Sequence, residues 1–238
     1  MQGPVCITGM HRSGTSMLAL LLRACGLDLG SPRHFGPVNP DNRLGFGEDL
    51  RFVRLNNRLL ASAGGAWDRP PDPARIGRGL SGRFHRAAAR RLLRRRAAGH
   101  PWGWKDPRMA LTMPFWQPLV PDMKVIICLR HPAQVATSLA GRNYDRSIHG
   151  EALWLEYNRR LLSVVPPEQR LIVANADVLG NPVAALEPVL DFIGLPRDAA
   201  HRPEVSALVR PDLQARGTAA TLFSGAEAQA LYDAMLSA

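Results

Sequence analysis

Lysine is nearly missing from this chain. Of 30 basic residues among 238, only Lys105 and Lys124 are lysines, so the net charge of +10 is carried almost entirely by arginine. Cysteine is scarce too. Cys6, Cys25 and Cys128 are an odd number, lie in apolar stretches and match no zinc spacing. That excludes a disulfide framework and predicts core thiols in a reducing compartment. Long hydrophobic runs are absent, and nothing approaches the ~20 apolar residues needed to span a bilayer. An apolar strand begins almost at the first residue, which leaves no room for a signal peptide and makes the cytoplasm the expected location. No zinc finger, RNP sequence or clear helix-turn-helix accompanies the positive charge. Nucleic acid is therefore not an expected partner, although charge alone suits any polyanion.

What is present reads as a globular α/β chain. Hydrophobic residues make up 46% of it, enough for a sizeable core. Short unbroken apolar runs, Val5 to Ile7, Met123 to Leu129 and Leu171 to Ala174, predict strands buried on both faces of a parallel sheet. Helical patterns alternate with them: Met17 to Cys25 stopped by Gly26, Leu50 to Leu60, Met109 to Trp116, Pro132 to Ala140, Glu151 to Val164, Val183 to Ile193 and Glu227 to Leu236. Ser224 is the expected cap of the last helix. The alternation predicts a three-layer, P-loop-type fold around a central, mainly parallel sheet. One domain over 1–238 is expected, with a loop and basic helical excursion at about 61–100. Within it, 81–98 reads as an arginine-rich helix capped by Ser81. Its plainer reading is a solvated face; the sharper one is a meeting surface for something acidic.

The first strand opens into Gly9-Met10-His11-Arg12-Ser13-Gly14-Thr15-Ser16. Strand, glycine-flanked turn and helix form an anion cradle, in which backbone N–H groups and a helix N-terminus surround phosphate. Gly9, Gly14 and Ser16 fit the nucleotide-triphosphate loop G-x-x-x-x-G-K-[ST], but Thr15 stands in the lysine position. That argues against a kinase or ATPase. The cation is Arg12 instead. Two further strand ends carry polar clusters, Lys105 to Arg108 and Arg130 to Ser138, and carboxyl ends of parallel strands are where ligands bind. Arg130 follows the central strand directly, and Ser138 lies two turns into the next helix. A guanidinium fork and a hydroxyl suit one phosphate. Taken alone, they equally suit an arginine–carboxylate pair and a serine capping backbone.

Gly-x-x-Arg-Ser-Gly-Thr-Ser resembles the 5′-phosphosulfate loop of sulfotransferases that use 3′-phosphoadenosine-5′-phosphosulfate (PAPS). Arg130-His131-Pro132 followed by Ser138 resembles their 3′-phosphate motif. Asp177-Val178-Leu179-Gly180-Asn181-Pro182 and Phe192-Ile193-Gly194-Leu195-Pro196 are similar to the segment after their last main strand. The arginine in the loop and Lys105-Asp106-Pro107 look closest to bacterial members and to tyrosylprotein sulfotransferases. Arg216-Gly217 weakly resembles a basic-glycine segment that touches the 3′-phosphate.

The resemblance implies a PAPS sulfotransferase acting on a hydroxyl or amine acceptor (sugar, lipid, peptide or small natural product), with no metal. It implies donor binding by Arg12, Ser13, Gly14, Thr15, Ser16, Arg130, Ser138, Arg216 and Gly217. Arg12 and Lys105 would stabilise leaving-group charge, and Glu48 would act as general base. The plainer reading of Lys105 is a salt bridge to Asp106, and that of Glu48 a helix N-terminal carboxylate. His11, His34 and His149 are the lesser candidates for the base. A P-loop nucleotide kinase and a non-enzymatic polyanion binder are the competing functions.

Overall fold

The computed structural model describes residues 3–36, 47–94, 100–141, 149–208 and 224–237. Four strands, β1 (Val5–Thr8), β2 (Gly103–Lys105), β3 (Lys124–Leu129) and β4 (Arg170–Ala174), form one parallel sheet in the order β2-β1-β3-β4. Val5 registers with Gly103 on one side and Lys124 on the other, and Ile7 with Lys105 and Ile126. The helices are α1 (Thr15–Ala24), α2 (Leu50–Ser62), α3 (Gly79–Arg94), α4 (Met109–Trp116), α5 (Pro132–Ala140), α6 (Gly150–Val164), α7 (Asn175–Gly180), α8 (Pro182–Ile193), α9 (Pro203–Leu208) and α10 (Ala226–Leu236).

The strands lack polar breaks because both faces are covered. Successive side chains alternate between faces. Val5, Ile7, Ile126 and Cys128 point into a core shared with α1 and α8. Cys6, Trp104, Val125, Ile127 and Leu129 point into the opposite core, built with α2, α4, α5 and α6. This is the three-layer, P-loop-type arrangement expected from the alternation. Its larger core holds three fully buried tryptophans, Trp104, Trp116 and Trp154. Phe52 stacks on Trp104 at 4.9 Å between centroids and also packs against Trp116 at 5.6 Å. Each such side chain contributes about 1.5–3 kcal/mol by leaving water.

Some local expectations need correction. The basic helix begins at Gly79, two residues before Ser81, so Ser81 lies inside it and its hydroxyl donates to the Arg78 carbonyl instead of capping. Residues 95–98 of the expected 81–98 helix lie outside the described residues. The last helix starts at Ala226 behind Gly225, without a side-chain cap, and the Ser224 hydroxyl is buried without a partner. The short helices α7 and α9 have no periodic signature in the sequence, since six residues are under two turns. No helix among the described residues is long and apolar enough to cross a membrane.

Candidate functional site

The strand order turns back at β1. The chain steps from β1 out to β2, then returns to place β3 on the other flank. Such a reversal opens a crevice at the carboxyl ends of the strands, the usual ligand position in parallel sheets. Three turns converge there: the loop from Gly9 to Ser16, the turn after β2, and the start of α5.

The loop is shaped by close approach. Gly9 leaves β1 with φ 135°, and a Cβ there would sit 2.4 Å from the Cys128 carbonyl oxygen of β3. Only glycine permits that passage. Arg12 is the one non-glycine with positive φ among the described residues, at 74°. A left-handed residue of this kind costs about 1–2 kcal/mol. The Ser13 N–H donates to the Met10 carbonyl at 3.1 Å. Gly14 then starts α1 in the left-handed region, with no capping side chain. By contrast, Asp49 caps α2 and Asn181 caps α8. A Cβ on Gly14 would lie 2.0 Å from Asn175 Oδ1, so the first residue of α7 closes one wall of the loop. The Ser13 hydroxyl is buried and has no partner. An uncapped helix start and an orphaned buried hydroxyl in one loop are the features of an anion cradle.

On one flank stands a guanidinium cluster. Arg12 Nε donates to Ser138 Oγ at 2.9 Å, linking the loop to α5 across 126 residues of sequence. Arg130 Nη1 donates to the Arg12 carbonyl at 3.1 Å, and its Nε to Gln134 Oε1 at 3.0 Å. Both partners are neutral, and burial lowers the Arg130 pKa. Among the described residues no carboxylate pairs with Arg130. A partly buried cation held by neutral groups is electrostatically incomplete, and an anionic ligand placed there would complete it.

On the other flank stands an ion-pair cluster. Lys105 is 2% exposed, and its Nζ donates to Glu48 Oε1 at 2.6 Å and to Ser16 Oγ at 3.1 Å. Arg108 Nη1 lies 3.8 Å from Glu48 Oε2 and 3.0 Å from Asp106 Oδ1. Burial opposes the Arg108 charge, but Asp106 and Glu48 outweigh it and its pKa is raised. Asp106 is fully buried and also accepts from the Arg108 N–H and from Asn56 Nδ2 at 2.8 Å. Asn56 Oδ1 in turn accepts from Thr112 Oγ1 and Trp116 Nε1. This buried network fixes the turn that carries Lys105 and Arg108.

Of the proposed donor-binding residues, the structure brings Arg12, Ser13, Gly14, Thr15, Ser16, Arg130 and Ser138 to one crevice. Arg216 and Gly217 lie outside the described residues. Glu48 and Lys105 meet directly. His11 packs its ring on Trp67 at 4.5 Å between centroids and against Tyr157 at 6.0 Å, with Nε2 buried and unpartnered. Burial, then Arg108, Lys105 and Arg12, holds its pKa well below 6.5. His34 sits in a short turn beside Phe35, which bridges to Asp49. His149 is exposed at the start of α6. Sequence reasoning missed Asn56, Gln134 and Asn175, whose partners are distant in sequence or one turn along a helix.

Comparison with known proteins follows the same lines. The family profile described as Sulfotransferase family matches residues 4–199. No curated protein matches the chain. Among solved structures, the sulfotransferase domain of the Synechococcus PCC 7002 olefin synthase is similar at a TM-score of 0.59 and 18% identity, covering 99% of this chain and 96% of that one. The sulfotransferase domain from the curacin biosynthetic pathway has a TM-score of 0.59 and 16% identity, covering 99% and 98%. A sulfotransferase from Mycobacterium avium has a TM-score of 0.55 and 14% identity, covering 99% and 76%. At these identities the likeness is one of fold.

Proposed function

Because the chain belongs to the sulfotransferase family, we propose that it transfers a sulfuryl group from PAPS to a hydroxyl or amine acceptor by in-line displacement. The observation that carries this reading is Arg130, a partly buried cation whose partners among the described residues are all neutral, hydrogen-bonded to the backbone of an uncapped glycine loop. PAPS supplies an activated sulfuryl group on a 5′-phosphate, together with a second anion at the 3′ position. Arg130 and Ser138 are the residues proposed to hold the 3′-phosphate. The N–H groups of Gly14, Thr15 and Ser16, with the orphaned Ser13 hydroxyl, are proposed to hold the 5′ end. Arg216 and Gly217 are proposed as a further contact to the 3′-phosphate.

Transfer forms a bond from the acceptor oxygen or nitrogen to sulfur and breaks the bond from sulfur to the bridging phosphate oxygen. Glu48 takes the acceptor proton. Lys105 holds Glu48 in place through the 2.6 Å contact, and its charge also stabilises the departing phosphate oxygen. Arg12 adds a second positive charge from the loop. Fixed donors of this kind, aimed where charge develops, are each worth about 3–4 kcal/mol of barrier. The work is positioning and charge stabilisation, as in phosphoryl transfer.

Calorimetric titration with adenosine 3′,5′-bisphosphate, with magnesium–ATP and with a DNA duplex tests the reading. Tight bisphosphate binding without magnesium is expected. Magnesium-dependent ATP binding in its place would favour a nucleotide kinase. Salt-sensitive DNA binding alone would favour a polyanion binder.

A further inference from the structure

The excursion helix α3 presents a surface that the donor site does not use. Leu80 and Phe84 are each 69% exposed, the two most exposed large apolar side chains among the described residues. They lie one helical turn apart and so share one face. The same face continues through Ala87 to Arg91, flanked by Arg83, Arg90 and Arg94, all of them exposed. The opposite face turns inward: Gly82 and Ala89 are buried, and Leu92 and Leu93 pack on the core. The helix contains no acidic residue, and the sequence has none between Asp72 and Asp106. None of Arg83, Arg90, Arg91 and Arg94 has an ion-pair partner among the described residues.

We infer that α3 is a docking surface for an acidic protein: Leu80 and Phe84 enter an apolar slot, and the surrounding arginines pair with carboxylates at its rim. Charge complementarity sets the sign of the partner. An aromatic anchor ringed by arginine is the composition of a protein interface hot spot. A membrane fits less well. An interfacial helix buries a broad apolar face, and here the other apolar residues of α3 already face the core. A nucleic acid would leave Leu80 without a role, and one ring is not a stacking platform. The inner side of α3 packs on α2, which begins two residues after Glu48, so a docked partner sits one helix away from the element that follows the proposed base. The inference does not depend on PAPS binding and fails or stands separately from it.

Fluorescence anisotropy on the full chain tests it. The probe is a labelled helical peptide with a leucine–methionine stripe bordered by Asp and Glu. Polyglutamate, phosphatidylcholine–phosphatidylserine vesicles and a 20-base-pair DNA duplex run in parallel. The peptide is expected to bind at least tenfold more weakly to Leu80→Ser/Phe84→Ser and to Arg83→Glu/Arg91→Glu. Polyglutamate is expected to bind weakly and to ignore the serine substitutions. Both sites are exposed, so thermal melts of the variants should match the parent; the single Phe84→Ser variant serves if the double does not. Absent peptide binding, or binding indifferent to Leu80 and Phe84, overturns the inference. Vesicle or DNA binding that needs Phe84 overturns it in favour of those partners. Self-association abolished by Phe84→Ser, measured by sedimentation, overturns it in favour of a second copy of the chain.

Discussion

Glu48→Gln separates catalysis from scaffolding at the ion-pair cluster. In the parent, Glu48 Oε1 lies 2.6 Å from the Nζ of a lysine that is 2% exposed. Deleting one partner of a buried pair outright costs about 3–5 kcal/mol. Glutamine keeps an acceptor for Lys105, Ser16 Oγ keeps another, and Glu48 itself is partly exposed. The expected loss is therefore nearer 1–2 kcal/mol, or about 2–8 °C in Tm for a chain of this size. The expected loss in turnover is much larger. A general base contributes roughly 10²–10⁴ to the rate. So kcat should fall by about a hundredfold or more, with bisphosphate affinity within about threefold of the parent. Sulfate transfer from labelled PAPS to an acceptor found by screening gives kcat, calorimetry gives the affinity, and a thermal melt gives Tm. A kcat within threefold of the parent in a folded variant refutes the assignment and points to a histidine, His11 first. A Lys105→Ala variant closes the cycle. If Glu48 acts only by neutralising Lys105, the double variant is no slower than Lys105→Ala alone.

Arg130→Ala should weaken adenosine 3′,5′-bisphosphate binding by about ten- to a hundredfold, the worth of one charge-assisted phosphate contact; unchanged calorimetric affinity would remove its 3′-phosphate role. Asn56→Ala strips a partner from the buried Asp106 carboxylate and leaves the Trp116 N–H unpaired, which should cost about 3–5 kcal/mol in a urea unfolding curve. His11 has its pKa held below 6.5 by burial, so the unfolded chain takes up its proton first. Its contribution to stability is complete above about pH 6.5 and declines as the pH falls below that value, and His11→Gln should flatten this part of the stability–pH profile. Burial raises the pKa of Cys6, Cys25 and Cys128, the last to about 12, so a thiol-specific reagent should label them only on unfolding.

The sequence on its own determined most of the architecture, because β1, β3 and β4 are built on short apolar runs and the long helices carry apolar faces, whereas the three-residue β2, ending in Lys105, is no such run. Those patterns report burial on two faces or on one, and they survive without knowledge of neighbours. Pro132 at the first turn of α5 and Gly194 at the end of α8 were legible for the same reason: backbone constraints are local. The strand, glycine turn and helix from Val5 to Ala24 were legible because the glycines and the flanking apolar runs lie in one contiguous stretch of chain. Tertiary structure alone decided which distant groups meet. Arg12 reaches Ser138, Lys105 reaches Glu48 and Ser16, and Asn56 anchors Asp106 because parallel strands bring their carboxyl ends to one edge. The strand order β2-β1-β3-β4 puts the crevice beside β1, and strand order is set by packing of whole layers. The outward turn of Leu80 and Phe84 belongs to the same category. Whether an apolar side chain on a helix is covered depends on what packs against that face, and only the fold supplies that.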